Sequence, residues 1–244
     1  MRLGLILSVC LLPALASAAP SIPEPFQASA KQLRALRTGK IKADTPAVVL
    51  ADDVRFDFDD KGRRRARYHR IIEIRTAEGV RSWSSVRATW EPWHSRKPKM
   101  RARVLSGGRF KSLDPSTINE PPSKDSSTHT YSDRRTLQAP FPAVKIGSII
   151  EYEIDIRDHR PRFGPASNLS YSFAWTVPSL RNRVVVTSKG RRIRHRLHNL
   201  RGLRPRKARR KKTRLVTFEY GRVDPRDYEG GKPYRTTGVP LIEV

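Results

Sequence analysis

The chain has 244 residues and carries 50 Lys and Arg against 23 Asp and Glu, a formal net charge of +27. That length holds one large all-β domain or two small ones. The charge favours anionic partners such as nucleic acid, lipid head groups or acidic polysaccharide, although arginines spread over solvated faces are the plainer account.

Residues 1–18 read as an export address. Arg2 is a minimal positive region, Leu3 to Leu12 is an apolar run too short to span a bilayer, and Pro13 breaks it. Ala16-Ser17-Ala18 then supplies the small-x-small cleavage pattern, with cleavage expected near Ala18. Leu7-Ser8-Val9-Cys10 departs from a lipoprotein box, because Val9 is bulky where a small residue is needed. Cleavage would remove Cys10, the only cysteine. The mature chain would then lack disulfides, thiol nucleophiles and cysteine metal ligands. The expected location is periplasmic or extracellular, with no transmembrane span.

Residues 19–46 form a proline-rich leader and one short helix. Ser29 caps it, Leu33, Leu36 and Ile41 give an apolar stripe, and Gly39 is the expected stop. The helix is expected to pack on a sheet edge or to tether the domain. Strands begin after Pro46. Val48–Leu50 is a short apolar strand, and Val54, Phe56 and Phe58 alternate with Arg55, Asp57 and Asp59. Asp60-Lys61-Gly62 turns the chain into a basic strand from Arg63 to Arg75, with Tyr68, Ile72 and Ile74 on one face. Ala77-Glu78-Gly79 reads as a turn before a strand from Arg81 to Trp90. A second hairpin joins Met100–Leu105 to Phe110–Leu113 through Gly107-Gly108, and Asn119 to Thr130 reads as a polar surface loop.

The stretch from Tyr131 to Gly164 contains the clearest strand. Ile150, Tyr152, Ile154 and Ile156 lie on one face, with Glu151, Glu153, Asp155 and Arg157 on the other, expected to look outward. Gly147 and Ser148 start the strand and Pro161 stops it. Pro140-Phe141-Pro142 forces an irregular approach. Tyr131-Ser132-Asp133, Ile146-Gly147-Ser148-Ile149-Ile150-Glu151-Tyr152, Arg157-Asp158 and Arg160-Pro161 resemble the N-terminal all-β domain of unknown function that precedes transglutaminase-like domains in exported bacterial proteins. The resemblance spans roughly Ala47 to Tyr220 and is most specific from Tyr131 to Phe163. It implies a sandwich-type scaffold in an accessory role, and it brings no catalytic residues to transfer.

Further on, Leu169 to Val177 reads as a strand with Tyr171, Phe173 and Trp175 inward, and Val184–Val186 as a short buried strand. No acidic residue occurs from His159 to Phe218, and Lys189 to Arg214 holds 14 Lys or Arg. Alternation at Ile193, His195 and Leu197, and again from Leu215 to Tyr220, reads as two basic-faced strands. The run Arg204-Pro205-Arg206-Lys207-Ala208-Arg209-Arg210-Lys211-Lys212 would be the loop joining them. Its cations Arg204, Arg206, Lys207, Arg209, Arg210, Lys211 and Lys212 are the candidate anion-binding patch.

The chain shows no nucleophile elbow, phosphate-binding glycine loop or cysteine zinc spacing. His195 and His198 are three apart, so on a strand they face opposite ways and no metal site is expected. Asp158-His159 lacks a matched nucleophile and reads as surface loop. Glu151, Glu153 and Asp155 share a face at ~7 Å spacing, but cross-strand pairing with arginines of 63–75 is the simpler role. Trp90 and Trp175 fall on core faces, whereas Trp93, after Pro92, is expected exposed; with Trp83 they are the candidate stacking platforms for bases.

The expected class is therefore mainly β, an antiparallel β-sandwich-like domain with one short N-terminal helix. Residues 47–188 would be the sandwich core, 189–225 a basic β-hairpin of the same domain, and 226–244 a C-terminal segment linking to a domain absent from this chain. No catalytic residue, metal or cofactor is expected. The expected function is a non-catalytic accessory domain acting with a separate transglutaminase-like or other envelope protein. The alternative is a polyanion-binding module for lipid head groups, acidic glycan or, less readily, nucleic acid, acting through the basic 189–214 hairpin, with no specific nucleic-acid partner. A hydrolase whose site leaves no motif is a third reading.

Overall fold

The computed structural model describes residues 21–121, 133–162, 168–173, 175–225 and 240–244. The expected export address with Cys10, the residues Tyr131, Ser132, Phe163 and Gly164, most of the 119–130 loop and the 226–239 stretch lie outside the described residues.

The first element is a helix, α1 (Ala30–Ala35), opened by a capping box: Ser29 accepts from the Gln32 amide, and the Gln32 side chain accepts from the Ser29 amide. It stops four residues before the expected Gly39. Strand β1 (Ala47–Phe58) runs antiparallel to β2 (Arg64–Ile74) through the expected hairpin. The two apolar pieces expected separately at 48–50 and 54–58 are one strand, with an irregularity between Val49 and Ala51 that resets the register. Ala77-Glu78-Gly79 is no turn but the start of a second helix, α2 (Ala77–Ser82), capped by Thr76. The strand after it, β3 (Ser85–Trp90), is correspondingly shorter than expected.

Strands β4 (Lys99–Ser106) and β5 (Arg109–Ser112) form the second hairpin as expected. They are followed by a 3-10 turn at Pro115–Thr117, then β6 (Arg135–Pro140) and the long β7 (Ile149–Arg157). Strand β8 covers only Ser170–Ser172 of the run expected from 169 to 177, while β9 (Asn182–Lys189) is longer than expected. Then come β10 (Arg196–His198), β11 (Arg206–Arg210), β12 (Thr213–Tyr220) and β13 (Leu241–Glu243).

The protein is mainly β. Eight strands form one sheet in the order β11-β12-β9-β1-β2-β7-β4-β5, with β10-β13-β8 and β3-β6 as smaller sheets. All pairs but one are antiparallel; β1 and β9 run parallel. Residues opposed across a ladder share a face, so Val49, Val54 and Phe56 line up with Ile72, Tyr68 and Ala66, and these with Ile150, Ile154 and Ile156. This face is the main core. Over its β1-β2-β7-β4 part sits the β3-β6 sheet, with Val86, Ala88, Trp90, Leu137 and Ala139 buried against it. Over its β1-β9-β12 part sit Tyr171, Phe173 and Ile242 from around the three-stranded sheet.

The opposite face is also covered at one end. Leu33 of α1 and Leu36, which caps its C-terminus, pack on Val48, Leu50, Ile71, Leu105 and Ile149, so the helix lies on a sheet face and not on an edge. The leader continues the cover. Phe26 donates its amide to Glu151, and Arg103 holds the Ala28 carbonyl. The expectation that the Glu151 row looks outward is therefore corrected: Glu151 is fully buried and Asp155 nearly so. The alternation was right about the apolar face. The second face closes because β7 is interior, between β2 and β4, and the leader folds across it.

Candidate functional site

The feature that could meet a partner lies where the chain leaves β9. Gly190 (φ +81) turns the backbone after Lys189, and Arg191, Arg192, Ile193 and Arg194 then cross beneath the end of the main sheet. His195 follows, edge-on to Phe218 at 5.3 Å between ring centroids. Burial, then the neighbouring Lys207, hold its imidazole below the ordinary histidine value. The chain returns as the β11–β12 hairpin, closed by the two-residue turn Lys211-Lys212 with Lys211 at φ 53.

Register sorts the side chains of β11. Lys207 opposes Val216 and Arg209 opposes Arg214, so this set shares the core-facing side of the sheet; Arg206 and Arg210, opposite Thr217 and Thr213, point to the other side. Between the hairpin and the 192–194 segment lies a groove lined by Arg192, Arg194, Lys207, Arg209 and Arg214, with Ile193 and Val216 among its apolar lining. A second groove adjoins it across Arg192–Arg194, lined by Phe58, Val186 and Ile193, with Arg191 beside them. None of the five cations of the first groove has a carboxylate partner among the described residues. The nearby acid, Glu219, is taken by Arg206 at 2.7 Å on the far side. Five cations around an apolar floor have the charge to attract anions.

The residues whose types suit catalysis are held elsewhere. Glu151 accepts from the Phe26 amide at 2.7 Å and Arg103 at 2.6 Å, and pairs with His69 at 2.9 Å. Burial alone would raise its carboxyl; the bonds from His69, Phe26 and Arg103 outweigh that and hold it low. Asp155 is bidentate to Arg65 and also meets Arg157, and Glu153 pairs with Arg101. At the centre of the core face, Asp52 takes Arg70 at 2.9 Å and the Tyr171 hydroxyl at 2.6 Å, with Arg70 4.5 Å from the Trp175 ring centroid. Burial disfavours the Arg70 charge, yet Tyr152 and Asp52 hold its pKa well above the ordinary value.

Asp158, expected on a surface loop, has a buried side chain instead. Ser95 donates to it at 3.0 Å, while His94 and Arg64 stand at 3.5 and 3.4 Å, inside ion-pair range but outside hydrogen-bond geometry. The serine bonds the aspartate and not the histidine, so the trio lacks the nucleophile–base contact of a hydrolase triad.

Of the seven cations expected to form the patch, Lys207 and Arg209 line the groove. Arg206 and Arg210 face away, Lys211 and Lys212 make the turn, and Arg204 precedes β11. The run expected as a loop is thus mostly a strand, and of the first expected strand, at Ile193, His195 and Leu197, only Leu197 lies in one, β10, which pairs with β13 in another sheet. Arg191, Arg192, Arg194 and Arg214 lie within the 189–214 segment expected to bind polyanions but not among the seven named patch cations. His195 meets Phe218 while His198 meets Glu243 at 3.1 Å, so the two do not converge. Trp90 is buried and Trp93 is 49% exposed, as expected. Among the described residues no helix is long and apolar enough to cross a membrane.

The fold recurs in the crystal structure of a "putative protease" from Parabacteroides distasonis, with a TM-score of 0.72 at 12% identity over 81% of this chain. This chain spans 40% of the length of that protein. An M1 zinc metallopeptidase from Deinococcus radiodurans aligns over 82% of this chain and 42% of its own, at 11% identity, but with a TM-score of only 0.42. Among curated proteins none matches the chain. Residues 60–227 match the model of a family described as a domain of unknown function with a solved structure.

Proposed function

The chain belongs to the DUF3857 family of domains, and from that premise we propose that it is a non-catalytic accessory domain of an exported bacterial protein, one that works by binding. The observation that carries this reading is the fate of the buried acids: Asp52, Glu151, Asp155 and Asp158 are each engaged by arginine, histidine or hydroxyl groups that close the fold. A catalytic carboxylate needs room for a substrate; the oxygens of Asp52, Glu151 and Asp155 are taken up by the fold's own groups, and Asp158, which also lines a groove beside Arg64 and Arg157, is held by Ser95. That the same fold makes up 40% of a larger protein supports a role beside another domain, as does the likeness of its Tyr131–Phe163 stretch to modules that precede transglutaminase-like cores. Export follows from the residues 1–18 pattern, and fractionation of a tagged chain with N-terminal sequencing near Ala18 tests it. Purified protein assayed for peptide hydrolysis and for glutamine–lysine crosslinking is expected to show neither. Activity that disappears in Glu151→Gln or Asp158→Asn, with the fold retained, would overturn the reading.

A second reading, anion binding, is favoured by one specific observation: the groove's five cations lack carboxylate partners among the described residues. The groove suits a phosphate- or carboxylate-rich ligand. His195 reports on it, because Lys207 contributes to its low pKa. An anion seated beside Lys207 offsets that charge and raises the His195 pKa, which a proton NMR titration with and without polyphosphate measures. An unchanged titration under conditions where polyphosphate binds would place the ligand elsewhere.

A further inference from the structure

Among the described residues, β11 is the end strand of the eight-stranded sheet and pairs on one side only, with β12. The pattern of that pairing follows from the turn. A two-residue turn makes Arg210 and Thr213 the hydrogen-bonded closing pair, and bonded pairs then recur at every second residue. Ala208–Leu215 and Arg206–Thr217 are therefore the next bonded pairs. The far side of β12 agrees: the Lys212 carbonyl accepts from the Gly190 amide at 2.8 Å, so even-numbered residues of β12 bond toward β9 and odd-numbered ones toward β11. The amides and carbonyls of Lys207 and Arg209 consequently point off the sheet edge, and their side chains line the groove.

A strand edge of this kind is a template for another chain. Four of the five residues of β11 are cationic, so a second copy of β11 would meet like charge and is refused. An acidic segment meets the reverse. Laid along β11, its alternate side chains on the core-facing side would reach Lys207, Arg209, Arg192, Arg194 and Arg214, and those on the other side Arg206 and Arg210. We propose that β11 accepts an extended, acidic peptide segment of a partner protein as an added ninth strand, with its alternate carboxylates seated in the groove. This rests on the anion-binding reading and goes beyond it, because it assigns the ligand a polypeptide backbone.

The test uses a peptide of alternating Glu with Val or Thr, and the same peptide N-methylated at every second residue in each of the two frames. Charge is identical and one set loses the amides that face β11. Binding is read by fluorescence anisotropy, and amide exchange of Lys207 and Arg209 by NMR; inorganic polyphosphate serves as the backbone-free anion. The parent peptide is expected to bind and to slow exchange at Lys207 and Arg209, and one N-methyl frame to bind at least about tenfold more weakly through loss of backbone bonds. Polyphosphate is expected to bind without slowing those amides. If both N-methyl frames bind like the parent and the two amides exchange as before, charge alone holds the peptide. Strand addition is then overturned and the anion reading stands. If neither peptide nor polyphosphate binds, both fall. The substitution Lys207→Pro removes an outward amide that β12 does not use; compared with Lys207→Gln, it is expected to weaken peptide but not polyphosphate.

Discussion

Glu151 is a carboxylate on a strand that alternation alone would turn to solvent. It is buried because His69 comes from one neighbouring strand, Arg103 from the other, and the Phe26 amide from a leader 125 residues away. None of these partners is local, so the alternation showed the apolar face but not the cover on the other. Replacing Glu151 by Ala leaves His69 and Arg103 without their shared anion, and should cost about 3 kcal/mol in urea unfolding, with Gln costing less because it still accepts from Phe26. Acidity tests the same groups. Glu151 and Asp155 are both held below the usual carboxylate range, by bonds from His69, Phe26 and Arg103 and from Arg65 and Arg157, against the opposing effect of burial. Native carboxylates with lowered pKa stabilise the fold above the unfolded value and lose that contribution as pH falls. Unfolding free energy should therefore decline only modestly from neutrality to about pH 5, through His195, whose native pKa is lowered, and fall steeply below about pH 4. A profile that rises on acidification would contradict the assignment.

At the scale of elements, the misread pieces share a cause: local signals describe a residue's own backbone, whereas pairing is set by distant chain. Val48, Val49, Leu50 and Ala51 are all buried where β1 shifts register, so alternation breaks there and one strand looks like two. Arg206–Arg210 has neither alternation nor aromatic residues and looks like loop, yet β12 organises it as a strand. Helix α2 was hidden by Gly79, which looks like a turn residue. Its real role is close approach, since a Cβ there would sit 2.0 Å from the Pro46 carbonyl oxygen. That carbonyl also accepts from Arg75 and Thr76, so it has little room to retreat. Gly79→Ala is accordingly expected to destabilise the protein by about 2–3 kcal/mol, although alanine favours helix by roughly 1 kcal/mol. Thermal unfolding measures it, and a neutral or stabilised variant would contradict the contact. By comparison α1 was legible, because Ser29 and Gln32 cap it by local bonds.

For the whole molecule, the mainly β class and the anion-favouring charge were both readable from composition and spacing. What was not readable is how the charge divides. Many arginines are spent inside the fold, on Asp52, Asp53, Glu151 and Asp155, and five further cations line one groove at a sheet edge. The groove joins two segments, 192–194 and 207–216, that the sequence separates by a short strand of a different sheet. The basic run is legible in the sequence, and only the register shows which of its cations face the same way. The proposed binding function rests on the groove side of β11. The direct measurement compares two double variants of equal charge change, Lys207→Glu with Arg209→Glu and Arg206→Glu with Arg210→Glu, titrated with polyphosphate near physiological ionic strength. The first pair is expected to abolish most of the affinity and the second to leave most of it. Equal losses from both pairs would reduce the effect to net charge and contradict a built site.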